Sequence, residues 1–264
     1  MSRITVDKSL CIQDGACVEV CGPHALALDQ DGFPEDVPNS SCILCGHCVA
    51  VCSCNALTHA GLPEEDLLPA AQELPAPALI DGFLMSRRSV REFKDEPVGR
   101  EVLEVLLDVT RRAPTATNSQ TLHWIVVDGK EKVHELSRET MRAPLPAGFN
   151  AEYHAANLKL WESGYDVVLR GAPTLVVACT PKDYMWGKED CAIALTFLEL
   201  AAEARGLGAC WAGFLTRIAA THDPLRQMLS VPDGYIVCGG LMLGKGKYPY
   251  PRIPPRKPLS VQWN

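Results

Sequence analysis

Eight of the chain's 12 cysteines fall within the first 54 of its 264 residues: Cys11, Cys17, Cys21, Cys42, Cys45, Cys48, Cys52 and Cys54. That density marks a separate module. The opening MSRITVDKSL has no apolar stretch of signal-peptide type, and no apolar run approaches the roughly 18 residues of a membrane span. A cytoplasmic protein without a membrane partner is therefore expected. In a reducing compartment a cysteine cluster is better explained by metal than by disulfides. The net charge of -7 argues against nucleic acid as a partner, because phosphate backbones are bound by clustered Lys and Arg.

The rest of the chain is organised differently. Hydrophobic residues make up 47% and charged residues 22%, which excludes disordered and fibrous classes. Residues 1–62 hold the cysteines, and residues 63–80, PEEDLLPAAQELPAPALI, have the Pro, Ala and Glu content of a semi-rigid linker. From residue 81 to 264 helix and strand patterns are mixed, which predicts an α+β fold for the larger domain. Val102, Val105, Leu106 and Val109 share one helical face, followed by Pro114. Trp124 to Val127, closed by Asp128-Gly129, reads as a strand and turn, and Leu175 to Cys179 as a second strand. A helix is predicted from Glu189 to Arg205 with Gly206 just past its end, another starting at Asp223-Pro224, and a last strand from Tyr235 to Leu243.

Within the first module CVEVCGPHAL, from Cys17, repeats as CVAVCSCNAL, from Cys48. The spacing Cys42-x-x-Cys45-x-x-Cys48-x-x-x-Cys52 is the run in which three thiolates wrap one iron-sulfur cluster and the fourth reaches a second. Gly46 lets the backbone approach the inorganic sulfides. Structural zinc, the alternative, ordinarily pairs two knuckles across a longer spacer. The module resembles the eight-iron bacterial ferredoxins. That resemblance implies one 4Fe-4S cluster on Cys21, Cys42, Cys45 and Cys48, with Cys11, Cys17 and Cys52 left for a second. Asp14 stands where the second site's remaining cysteine would be. It either ligates the fourth iron through oxygen, leaves the cluster as 3Fe-4S, or is an exposed turn residue beside Gly15. Cys54 is either a small buried hydrophobe or a spare ligand.

In the larger domain Ser86-Arg87-Arg88-Ser89-Val90-Arg91 gathers three guanidinium groups and two hydroxyls, a chemistry suited to phosphate because Arg binds its oxygens in planar, bidentate fashion. Taken alone, the stretch also fits a solvated basic turn. Three more segments follow: Ala113-Pro114-Thr115-Ala116-Thr117-Asn118-Ser119-Gln120, then Gly206-Leu207-Gly208-Ala209-Cys210-Trp211-Ala212-Gly213-Phe214, and finally Pro255-Arg256-Lys257-Pro258. In this order the segments resemble the nitroreductase family, over roughly residues 81–264.

The resemblance implies a homodimer with FMN at the subunit interface. Arg87, Ser89 and Arg91 would meet the FMN phosphate and ribityl chain. Thr115 and Asn118 would approach the flavin from the partner subunit. Cys210, Ala212 and Gly213 would lie beside the isoalloxazine, and Arg256 or Lys257 would close the phosphate site. Arg88 and Gln120 complete the candidate cofactor-binding set. Thr121-Leu122-His123 stands where the family commonly has a Pro-Trp pair, and an acidic residue found in some members is missing at Ala212. The aromatic stretch from Met141 to Asp166 reads equally as a lid and as ordinary packing.

No catalytic acid, base or nucleophile is expected, because FMN would carry the chemistry. The expected activity is that of an iron-sulfur flavoprotein oxidoreductase. Electrons would enter from an external low-potential donor such as a ferredoxin, pass through the clusters to FMN and leave on a small organic acceptor. A redox-sensing protein without its own substrate, and an enzyme running in the opposite direction, are the alternatives.

Overall fold

The computed structural model describes residues 2–146 and 148–264. They divide into two compact units. The first runs up to Leu74 and includes Thr117–Ser119, and the second holds Pro75–Ala116 and Gln120–Asn264.

The first unit contains β1 (Ile4–Val6), α1 (Ala16–Glu19), β2 (Leu26–Leu28), β3 (Pro34–Asp36), α2 (His47–Val51) and β4 (Leu57–His59). β1 pairs antiparallel with β4, setting Ile4 opposite His59, and β2 pairs antiparallel with β3, setting Leu26 opposite Asp36. The sequence repeat is also a structural one. Gly15 and Gly46, both at φ 75, precede α1 and α2, a left-handed conformation that glycine adopts without steric cost. Cys17 and Cys48 each take the second position of the helix that follows. Farther along, the amides of Ala25 and Ala56 donate to Cys21 Sγ and Cys52 Sγ, both at 3.2 Å.

Few side chains are buried in this unit. Its core is Ile4, Cys17, Leu26 and Leu57, with Cys21, Cys48 and Cys52 packed against it. Arg3 ties the start of the chain to β3, its Nε lying 2.9 Å from Asp36 Oδ1 and its Nη1 donating to the Ser40 carbonyl. Burial alone would raise the Asp36 carboxyl, but hydrogen bonds from Ser2 Oγ and from the backbone and side chain of Arg3 hold it down at about 2.

The second unit contains α3 (Pro77–Ser86), α4 (Arg100–Thr110), β5 (His123–Asp128), α5 (Lys130–Arg142), α6 (Ala151–Glu162), β6 (Thr174–Pro181), α7 (Gly187–Glu203), β7 (Gly208–Trp211), α8 (Gly213–Ala219), α9 (Asp223–Met228) and β8 (Tyr235–Gly244). The strands form one antiparallel sheet in the order β5-β6-β8-β7. Every residue of β6 except Pro181 is buried, as expected for a strand covered on both faces. One core packs α5, α8 and α9 on the sheet around Leu136, Leu175, Leu215 and Ile218, and the other packs α4 and α7 around Leu106, Leu195, Leu198 and Leu241. The mixture is the α+β class that the sequence predicts. Among the described residues no helix is long and apolar enough to cross a membrane.

Two details differ from the sequence reading. The stretch read as a linker holds a 3-10 turn at Glu64–Asp66, and its last residues begin α3, with Pro77 at the first helical position, where a missing N–H leaves no bond unmade. On α4 the buried face is Leu103, Leu106 and Thr110, while Val105 and Val109 are exposed. The apolar stripe is wider than the face the core covers, so periodicity points to its middle and not to its buried edge. The end of α7 matches expectation: Gly206 lies at φ 71, and the Leu207 amide reaches back to the Ala202 carbonyl at 3.0 Å.

Candidate functional site

Two cavities in the first unit are ringed by thiols. Cys21, Cys42, Cys45 and Cys48 line one, together with Pro23, Leu26, His47 and His59. Cys11, Cys17 and Cys52 line the other, together with Asp14, Pro34 and Cys54. The crossing of Cys21 and Cys52 follows from the repeat, since each helix ends beside the cavity that the opposite half begins. All eight thiols are free. Burial pushes up those of Cys17 and Cys48. Among the described residues no three His, Cys, Asp or Glu side chains converge on the place of a single metal ion. The thiols surround cavities instead.

The two cavities are not equivalent. Asp14 occupies the repeat position of Cys45, and its Oδ1 accepts from the Ala16 amide at 3.2 Å, a local turn contact that leaves its other oxygen available. Cys54 occupies the repeat position of Pro23, and its Sγ lies 3.8 Å from Cys52 Sγ. It faces the same cavity as Asp14. In the first cavity His59 Nε2 lies 3.6 Å from Cys42 Sγ, a contact that the sequence reading did not foresee.

In the second unit the arginine segment runs along β7. Ser89 bridges Ala209 in parallel, and the Val90 amide donates to the Ala209 carbonyl at 2.9 Å. Glycine is required opposite, because a Cβ on Gly208 would stand 2.5 Å from Val90 Cγ2. This packing sets the arginines beside Cys210. Burial raises the Cys210 thiol, while the positive charges of Arg91, Arg170 and Arg87 act against that rise. Arg87 Nη1 is 2.9 Å from Glu199 Oε1, a carboxylate from α7 that is only 6% exposed. Burial raises the neighbouring Glu203 carboxyl as well, with Arg87 and Arg88 opposing. Arg88 donates to the Met85 carbonyl, but its Nε is buried without a partner. Arg91 Nη1 donates to the Ser89 carbonyl at 3.3 Å.

Ala212 and Gly213 follow directly where β7 turns into α8. The Ala212 amide is bound by the Gly240 carbonyl at 2.8 Å. Phe214 comes next and meets Phe149, with ring centroids 5.3 Å apart, while His154 lies edge-on at 6.4 Å. The aromatic residues before and within α6 thus pack at the start of α8. Tyr165 instead hydrogen-bonds Glu92 and Arg170, at 3.1 and 3.2 Å.

The remaining candidates lie apart. Thr115 and Gln120 line a small cavity with Thr110, Leu122 and Trp124, the Gln120 amide donating to Thr115 Oγ1 at 3.1 Å. Asn118, which groups with the first unit, has φ 53 and donates its amide to the carbonyls of Ile43 and Leu44 at 3.0 and 2.9 Å. Arg256 and Lys257 lie in a tail in which every residue from Lys247 to Asn264 is exposed.

Sequence reading missed Glu199, Arg170 and His59. A lone carboxylate inside the apolar run Thr196-Phe197-Leu198-Glu199-Leu200-Ala201-Ala202 was the available signal for the first, since a buried charge needs a partner. The other cysteines are packing residues of the second unit. Burial pushes Cys179 up to about 12. A hydrogen bond between Cys191 and Cys238 raises the first thiol and lowers the second.

Comparison with known proteins agrees with this division. Residues 84–245 match the nitroreductase family, and residues 3–53 match the 4Fe-4S dicluster domain. The "Putative NADH dehydrogenase/NAD(P)H nitroreductase" of Archaeoglobus fulgidus is 30% identical over 166 residues, covering 62% of this chain and 84% of that protein. The nitrobenzene nitroreductase of Ectopseudomonas oleovorans is 26% identical over 204 residues, covering 65% of this chain and 88% of that one. Among solved structures, an FMN-bound nitroreductase from Desulfitobacterium hafniense superposes with a TM-score of 0.57 at 26% identity, over 69% of this chain and 97% of that chain. The chain belongs to the nitroreductase family and carries an N-terminal 4Fe-4S dicluster domain.

Proposed function

We propose that this oxidoreductase takes electrons from a low-potential donor through two iron-sulfur clusters to FMN, and delivers them to a small organic acceptor such as a nitro compound, a quinone or an enone. The observation that carries the proposal is the pair of thiol-ringed cavities in the same chain as an arginine-lined strand edge of the nitroreductase family. A covalently attached relay is needless if NAD(P)H alone reduces the flavin.

Cys21, Cys42, Cys45 and Cys48 would hold a 4Fe-4S cluster. Cys11, Cys17 and Cys52 would hold the second, completed as 4Fe-4S by Asp14 or left as 3Fe-4S. For FMN the fit rests on donor chemistry. Arg88, whose buried Nε has no partner of its own, and Arg91 would meet a phosphate, and Arg87 would add the donors that its bond to Glu199 leaves. Ser89 adds a hydroxyl. Cys210, Ala212 and Gly213 would flank the ring system, and Thr115, Asn118 and Gln120 would complete the site in a homodimer, with Arg256 or Lys257 supplied by the tail. Val105, Val109, Ile193 and Phe197, exposed on α4 and α7, are the apolar residues such a dimer would cover. When bound, FMN supplies the conversion between single-electron and two-electron transfer. The protein's part is to hold the phosphate by charge and to keep the ring's surroundings apolar.

The deciding experiment is anaerobic. Iron, sulfide and FMN are quantified in the purified protein, and reduced clusters are then followed by stopped-flow for reduction of the flavin. Eight irons and one FMN per chain, with flavin reduction at the expense of the clusters, is the expected outcome. Seven irons with an oxidised-state 3Fe-4S signal would assign the second cluster as the smaller type. Zinc without flavin, or clusters that never reduce FMN, would overturn the proposal. The name of the Archaeoglobus relative favours NAD(P)H as donor, and flavin reduction by NAD(P)H in a variant without clusters would establish that reading instead.

A further inference from the structure

We propose that His59 donates a hydrogen bond to the Cys42 thiolate and so raises the reduction potential of the cluster on Cys21, Cys42, Cys45 and Cys48. The inference rests on the reading that these four thiolates hold a cluster, and it adds a residue outside the cysteine motif.

The geometry leaves His59 one role. It is the last residue of β4, fixed opposite Ile4 of β1, and it is 6% exposed. A tight turn follows, closed by the Leu62 amide on the His59 carbonyl at 2.9 Å. That turn aims the Gly61 amide at His59 Nδ1, at 3.0 Å. Nδ1 therefore accepts, and in the neutral ring the proton lies on Nε2. Nε2 faces Cys42 Sγ at 3.6 Å, within range for a donor to sulfur. Gly61 is itself constrained, since a Cβ there would stand 2.9 Å from Leu44 Cδ2 and 3.5 Å from the His59 ring. The turn thus selects the tautomer, and the tautomer selects the donor.

An N–H dipole aimed at a ligating sulfur offsets the negative charge that the cluster gains on reduction. It favours the reduced state and shifts the potential upward. Burial strengthens the effect, because little water screens the dipole. The repeat supplies an internal control: the position of His59 in the first half is Leu28, a hydrocarbon side chain that is 47% exposed and has nothing to donate. Leu28 gives the second cavity no imidazole donor at this repeat position, so the two halves of the repeat are tuned apart by this position.

The test is an EPR-monitored redox titration of the full chain, purified anaerobically. His59→Phe should move the midpoint of one cluster to a more negative potential and leave the other unchanged, and His59→Gln, which keeps an N–H, should move it less. An unshifted midpoint in a fully loaded His59→Phe protein would overturn the proposal. A second measurement covers a variant that fails to load. With 15N-labelled histidine, the reduced wild-type cluster should show a nitrogen hyperfine coupling that persists in His47→Gln, the other histidine lining the cavity. Absence of that coupling in wild type, or its loss in His47→Gln, would overturn it equally. A wild-type protein without any 4Fe-4S signal would instead remove the cluster reading, and the proposal with it.

Discussion

The two units bury their interiors by different means. The second has two aliphatic cores built on a four-stranded sheet, with Leu106, Leu195, Leu198, Leu215 and Leu241 wholly removed from solvent. The first buries Ile4, Cys17, Leu26 and Leu57, and most of what packs against them is cysteine or valine. Its strands are three residues long. A unit of this size with so small a core does not offset its conformational entropy by apolar burial alone. Metal-thiolate bonds would supply the difference, which predicts that the first unit folds only as its clusters bind while the second unit folds without them.

The largest effect should come from withholding iron. Iron-free protein should lose protection from hydrogen exchange throughout the first unit and keep it in β6 and β8. Equal protection in both units would break the comparison. Next, Leu241→Ala, at a fully buried site of β8, should destabilise the second unit by about 3–5 kcal/mol while leaving iron per chain unchanged, as read by thermal unfolding and iron assay.

A smaller effect is expected at Arg87. Replacing it by Ala leaves Glu199 buried and uncompensated, and should cost about 2–3 kcal/mol, less than a fully buried pair because Arg87 is partly exposed. Thermal unfolding of the Arg87→Ala and Glu199→Gln variants would check this, since Gln removes the charge with the hydrogen bond largely kept and should cost less.

Asp36 provides the smallest and a pH-dependent contribution. Its carboxyl is held at about 2 against an ordinary 3.8, so the folded state favours the charged form. That stability is complete above the unfolded value and fades as pH falls through the folded one. Asp36→Asn should cost about 1–2 kcal/mol at neutral pH, allowing for partial exposure. The gap to wild type in thermal midpoint should hold from pH 7 to about 5 and narrow below about 4. A gap that did not change with pH would mean that the clamp acts through shape and not charge.

Local pattern made much of this legible. Cysteine spacing marked the first unit, and the runs at residues 124–127, 175–179 and 235–243 fall inside β5, β6 and β8. Gly206 ends α7 as its conformational freedom suggests. Patterns one turn or one strand long carry such information because neighbours in sequence decide them. The sequence reading assigned Arg87 to the FMN phosphate and did not foresee its partner Glu199, more than a hundred positions away. The exposed half of the α4 stripe was unreadable for the same reason: what covers a face belongs to other elements.

The sequence by itself determined that thiols organise the N-terminal region, that the rest is a mixed sheet-and-helix domain of the nitroreductase pattern, and that Asp14 breaks the symmetry of the repeat. Only the tertiary structure decided which thiols share a cavity with Cys54, that Glu199 meets Arg87, and that a turn at Gly61 points a histidine N–H at Cys42. Those contacts depend on the angle and register at which distant segments meet, and the packing of the whole unit sets them.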